Sequence, residues 1–165
     1  MHIHESIPMR LRRAYLTVHR TAQAHFARFG MTAEQYVLLS LLADEDGTTQ
    51  KELSSRMCSD GNTITAMLCL LERKGLIQRE RCSADGRARR VHLTELGIQI
   101  QRKLIASVKP LHDLMDEALV GRNREQFFEC LDKIAKAMAD PAKSVVDREH
   151  IKKRNTDSQL ANTSR

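Results

Sequence analysis

A stripe of mostly apolar residues runs through positions 5–29. Ile7, Leu11, Ala14, Val18, Ala22, His25 and Phe29 recur at steps of three and four, with Tyr15 and Phe26 beside them. That spacing predicts one helix with a continuous apolar face, ended by Gly30. Thr32, Ala33, Glu34 and Gln35 read as a capping box, in which a Thr oxygen and a Gln side chain satisfy orphan N–H groups reciprocally. A second helix follows, with Tyr36, Leu38, Leu39, Leu41 and Leu42, and stops in the polar run Asp44, Glu45, Asp46, Gly47.

Thr49 to Glu52 is a second capping box and opens a short helix holding Leu53 and Met57. Ser59, Asp60, Gly61 and Asn62 predict a turn that also offers N-caps. The next helix runs to about Lys74, with Ile64, Leu68 and Leu71 on one face and Gly75 as its stop. Residues 76–81 and 87–93 read as the strands of a hairpin around Asp85 and Gly86. Thr94 then caps a long helix to about Val120, striped by Ile100, Leu104, Val108, Leu111, Met115 and Leu119. Pro110 inside it is expected to kink or split it. Residues 123–126 cap a last helix with Phe127, Leu131, Ile134 and Met138 on one side. Residues 141–165 are polar and are expected to form a flexible tail, with a basic cluster at Lys152, Lys153 and Arg154. No internal repeat is present. The expected organisation is one domain over residues 1–140.

Composition narrows the partner. The 165 residues are 41% hydrophobic, with a formal net charge of +6 and a sequence pI near 9.4. A globular chain with that excess favours an anionic partner. Aromatics are only 4%, without Trp, a poor stacking platform for single strands or RNA. No apolar run approaches a membrane span, and the first eight residues lack the apolar stretch of a signal peptide. The expectation is a cytoplasmic protein with no membrane partner, whose cysteines (Cys58, Cys69, Cys82, Cys130) are reduced thiols.

The order of the central elements carries the function. Two short capped helices joined by a tight turn, then a hairpin, make a winged helix-turn-helix. The second helix of such a pair enters the major groove of double-stranded DNA while the first braces it. Arg73, Lys74, Arg79, Arg81, Arg87, Arg89 and Arg90 concentrate positive charge at the hairpin, where phosphates would pass. Alternation along the strands keeps them from sharing one face. Arg87, beside the turn glycine, is expected at the wing tip, where an arginine can enter the minor groove. Asp85 is expected to hold a wing arginine in place. The fold class is therefore mainly α with a small β-hairpin wing.

Three segments in order resemble the signature of the MarR family: Leu71 to Ile77 (L-E-R-K-G-L-I), Asp85 to Arg90 (D-G-R-A-R-R) and Leu93 to Gly97 (L-T-E-L-G). The resemblance implies a homodimer in which the first and last helices, about 5–29 and 95–140, form the dimer interface around a winged helix-turn-helix lobe at about 32–97. It implies binding to pseudo-palindromic operators, usually as a repressor, and in many relatives release by a small phenolic or carboxylate effector. Asp60, Gly61, Asn62, Thr63 and Thr65 match the start of the family's recognition helix. Thr63 and Thr65 would donate to phosphates or touch a thymine methyl, and Asn62 would either read adenine or cap the helix. Arg87 matches the wing-tip arginine and Asp85 its partner, with Arg73, Arg89 and Arg90 nearby. Ala66 and Leu70 stand where many relatives carry basic or polar residues, so base readout is expected to be weaker or to rest on hydroxyls and shape. The effector pocket of relatives points to Tyr15, His19 and Tyr36 as weak ligand candidates.

Other classes are less well served. A thiol sensor of the same fold would follow relatives with a reactive cysteine in the first helix, but residues 5–29 contain none, and Cys82 between Arg81 and Ser83 is the best alternative. His2, His4, His19, His25 and His112 show no metal-ligand spacing, so no metal or cofactor is expected. No phosphate loop, nucleophile elbow or metalloprotease motif argues for an enzyme. A protein-binding winged helix would have lost the basic wing, which this chain keeps.

Overall fold

The computed structural model describes residues 3–81, 89–119 and 124–139. Their order is α1 (Ile7–Ala27), α2 (Ala33–Asp44), β1 (Thr48–Thr49), α3 (Gln50–Arg56), α4 (Gly61–Arg73), β2 (Ile77–Arg81), β3 (Arg89–Leu93), α5 (Glu95–Glu117) and α6 (Arg124–Ala139). A short 3-10 turn, Ile3–Glu5, precedes α1, which starts at the first residue of its stripe, Ile7, and ends at Ala27. The chain divides into two compact units, Met1–Leu114 and Met115–Arg165.

The core lies in the first unit. Phe26, Leu38, Leu39, Leu42, Leu53, Ile64, Leu68, Leu71, Val91 and Leu104 are its largest fully buried side chains. In α4 the buried residues Ile64, Met67, Leu68 and Leu71 follow helical spacing, one face inward and one left for a partner. In α1 the predicted stripe is partly covered within the chain, with Ala22 packed against the core. Phe26, read as a flank, is the buried residue of that helix, whereas Ile7, Tyr15, Val18 and Phe29 are exposed.

Both capping boxes form. Thr32 Oγ1 accepts from the Gln35 amide and Gln35 Oε1 from the Thr32 amide, each at 3.1 Å. Thr49 and Glu52 repeat the pattern at α3. At the end of α4, Gly75 has φ +68; its amide donates to Glu72 O, and that of Leu76 donates to Leu71 O. These two bonds close the helix and turn the chain into the wing, and the positive φ favours glycine.

The wing is a three-stranded antiparallel sheet in the order β1-β3-β2. Arg79 and Thr48 both face Val91 in register. The hairpin was predicted; the two-residue strand β1 was not. It is too short for an alternating pattern, and its residues also serve the Thr49 cap. The second strand starts at Ile77, one residue later than expected.

Pro110 does not split α5, which runs unbroken from Glu95 to Glu117. Pro110 is exposed, so the carbonyl one turn earlier, which loses its N–H partner, can turn to water. Within the first unit Leu104 and Val108 are buried, with Ile100 and Leu111 packed against the core. In the second unit no residue of α6 is buried. Phe127 and Phe128 lie 6.1 Å apart, with the Arg124 guanidinium 5.2 Å from the Phe128 ring. The expected cap at residue 123 and the tail at 141–165 lie outside the described residues.

Candidate nucleic-acid interface

The site is built where α3, the start of α4 and the wing strands converge. Asp60 caps α4: its Oδ1 accepts from the amides of Asn62 at 3.0 Å and Thr63 at 2.9 Å. Its Oδ2 accepts from the Thr63 hydroxyl at 2.6 Å. The Thr63 side-chain bond, with the backbone bonds behind it, holds the Asp60 carboxyl below its ordinary value. Of the two roles open to Asn62, the cap is excluded, because Asp60 performs it. Asn62 is exposed on the first turn.

Thr65 is also internally bound. Its hydroxyl donates to Gly61 O at 2.6 Å and accepts from Gln50 Nε2 at 2.6 Å. The same Gln50 nitrogen donates to Gly61 O at 3.3 Å. The hydroxyls of Thr63 and Thr65 thus both donate to intrachain acceptors. Gln50 was missed by the sequence reading, where it counted only as an inner position of the capping box. The turn into α4 passes through Cys58 with φ +49, left-handed backbone uncommon for a residue with a side chain.

The wing's cations divide into two groups. Arg79 is half-buried and pairs with Glu72 on α4, through Nε at 3.0 Å and through Nη2. Nη2 also reaches Cys69 Sγ at 3.6 Å. The Arg79 bond holds Glu72 below its ordinary value, and Glu72 raises Arg79 in return. Arg90 donates to Gly47 O at 2.8 Å, on the turn before β1. Beside it, His92 Nδ1 donates to Asp46 Oδ2 at 2.7 Å, and Asp46 Oδ1 accepts from the Leu93 amide. Burial pushes Asp46 up, but the bonds from His92 and Leu93 outweigh it and leave its carboxyl below the ordinary range. Arg79 and Arg90 are therefore the braces of the wing. Lys51, Arg73 and Arg89 are exposed, with no ion pair among the described residues.

An open groove of about 720 Å³ lies between these elements, lined by Thr49, Gln50, Lys51, Ser54, Gly61, Arg79 and Arg89. It joins two exposed cations to hydroxyl and amide groups, a surface suited to a phosphodiester backbone. The structure thus brings Asp60, Gly61, Asn62, Thr63 and Thr65 together on the first turns of α4, with Arg89 across the groove. Arg90 faces the β1 turn instead, and Arg73 lies at the far end of α4. Asp85, Arg87 and Cys82 lie outside the described residues.

The effector candidates make the following contacts. Tyr15 and His19 stack at 5.5 Å, and His19 Nε2 lies 3.4 Å from Glu34. Tyr36 is stacked on the buried Phe26 at 4.4 Å, as a core residue. A separate open hollow of about 540 Å³ runs along α1 between Met9, Arg10, Arg13, Ala14, Thr17 and Val18. Among the described residues no cluster suits a metal ion, and no helix is long and apolar enough to cross a membrane.

Comparison with known proteins places this arrangement. The MarR family model matches residues 31–88, the stretch that contains α2, α3, α4 and β2. Transcriptional regulator HosA of Escherichia coli O111:H- is 32% identical over 134 residues, which cover 76% of this chain and 96% of that protein. Among solved structures, the transcriptional repressor CouR bound to a 23-mer DNA duplex matches with TM-score 0.71 and 30% identity, over 79% of this chain and 93% of that one. The S. aureus MepR–DNA complex matches with TM-score 0.64 and 26% identity, over 82% and 98%.

Proposed function

This chain belongs to the MarR family of transcriptional regulators and is not an enzyme, and on that premise we propose that it is a homodimeric repressor of a pseudo-palindromic operator. One observation carries the reading: the groove in which Lys51 and Arg89 face the capped start of α4. In this arrangement α4 enters the major groove, with Asn62, Thr63 and Thr65 toward base edges. Lys51 and Arg89 hold phosphates at its sides. Arg73 adds charge at the far end of the helix, Arg87 reaches the minor groove from the wing tip, and Asp85 orients it. Asp60, Gly61 and Arg90 shape the site: the first two build the helix start, and Arg90 ties the wing to the turn at Gly47.

Exposed apolar residues support the homodimer reading. Ile7 is 61% exposed and Tyr15 63% on α1, and Met138 is 66% exposed on α6. Apolar helix surface of this kind marks a contact with a partner, and a second copy of the chain is the partner proposed for it. Two-fold symmetry then sets two recognition helices about one DNA turn apart, roughly 34–36 Å.

For effector release, the hollow along α1 supports a second location beside the residues named from sequence. Arg10 and Arg13 beside Met9, Ala14 and Val18 offer cations next to apolar wall, matching an aromatic carboxylate. Tyr15 and His19 lie on this same helix, and Tyr36 belongs to the core. Such a ligand shifts the protein off DNA by no more than its differential affinity for the two states.

Light scattering combined with footprinting tests the proposal. The expected mass is twice 18.8 kDa, and the expected footprint is two symmetric half-sites about one turn apart. A monomer, or a single unsymmetrical footprint, would overturn it.

A further inference from the structure

We infer that Thr65 meets DNA through its γ-methyl group, reading the 5-methyl of a thymine, and that Gln50 is the positioning residue that makes it do so. The inference rests on the proposed placement of α4 in the major groove and specifies the chemistry one side chain uses there.

A threonine hydroxyl has one proton and two lone pairs. In Thr65 the proton is given to Gly61 O at 2.6 Å, the back-bond to the carbonyl four residues earlier that threonine often makes in helices. One lone pair receives the Gln50 amide at 2.6 Å. The orientation of that amide is forced. Both of its neighbours, Gly61 O and a hydroxyl whose proton is already used, are acceptors, so the nitrogen must face them. Thr65 nevertheless remains exposed. Of its two terminal groups, the hydroxyl is turned back into the chain by two short bonds, and the methyl is what it has to offer outward. A methyl in the major groove has one distinctive counterpart, the thymine methyl.

Gln50 sits at the first position of α3 and Thr65 in the second turn of α4, so this contact also ties the bracing helix to the reading helix. A threonine in a helix divides between two rotamers, whereas valine holds one. Gln50 removes that freedom from Thr65. A valine would need no such help, and this asymmetry separates positioning from ordinary structural support.

The test uses the full chain and an operator selected from random duplexes, with binding measured against a scrambled duplex. Replacing the contacted thymine by deoxyuracil removes only the methyl and is expected to weaken wild-type binding about fourfold, the worth of one buried methyl. Thr65→Val is expected to keep both the operator preference and this sensitivity. Thr65→Ser is expected to lose both. Gln50→Ala should lower the operator preference when residue 65 is threonine and leave it unchanged in the Thr65→Val background. Retained preference in Thr65→Ser with loss in Thr65→Val would overturn the inference, as would indifference of the wild type to deoxyuracil at every thymine. Failure to select any operator would instead remove the repressor reading, and this inference with it.

Discussion

Gly97 lies so close to Leu76 that a Cβ built on it would stand 2.0 Å from the Leu76 carbonyl oxygen. That oxygen accepts from the Thr94 amide at 3.1 Å. The Thr94 hydroxyl donates to Gly75 O at 2.6 Å and accepts from the Gly97 amide at 3.0 Å. The start of α5 is thereby fastened to the end of α4 where the wing begins, through backbone groups that cannot yield.

Gly97→Ala is therefore expected to destabilise the fold by about 1–3 kcal/mol, the usual range for overpacking a close contact. A thermal melt checks it. An unchanged midpoint would show that the Leu76 turn adjusts freely.

The division of the wing cations into braces and contacts gives a second prediction. Lys51→Ala and Arg89→Ala should each weaken binding to all duplexes and reduce the slope of log affinity against log salt by about one phosphate equivalent. Arg79→Ala should weaken binding while leaving that slope nearly intact, because Arg79 is committed to Glu72. A slope change in Arg79→Ala equal to that in Arg89→Ala would place Arg79 on the DNA instead.

The same pairs set the response to acid. Asp46, Asp60 and Glu72 are all held below their ordinary values of 3.8 for Asp and 4.5 for Glu. A lowered carboxyl contributes stability that is present above its unfolded value and lost as pH falls through its folded value. The melting midpoint is thus expected to fall as pH drops below those ordinary values, and Glu72→Gln should flatten part of that fall. A midpoint that rises on acidification would contradict the assignment of these carboxylates.

Much of this molecule is legible in its sequence because local chemistry decides it. The Thr32 and Thr49 boxes, the Gly75 stop and the core face of α4 each follow from residues within a few positions of one another. What escapes is what tertiary context decides. The face of α1 that is buried turns on Phe26 meeting Tyr36, a contact that spacing alone does not show. Strand β1 exists because Thr48 finds Val91 across the sheet. The sequence puts Thr63 and Thr65 on the first turns of α4, but whether their hydroxyls are free depends on Asp60 and on Gln50 from another helix. The arginines of the wing show the same limit: a sequence counts them, and only the fold shows that Arg79 is held by Glu72 and Arg90 by the Gly47 carbonyl.

The most direct test of the central claim is selection of an operator from a random duplex library, followed by a salt titration on the winning sequence. Recovery of a pseudo-palindrome bound with a steep salt dependence is the expected result. No enrichment at low salt, or enrichment without symmetry and without salt dependence, would contradict a dimeric DNA-binding repressor.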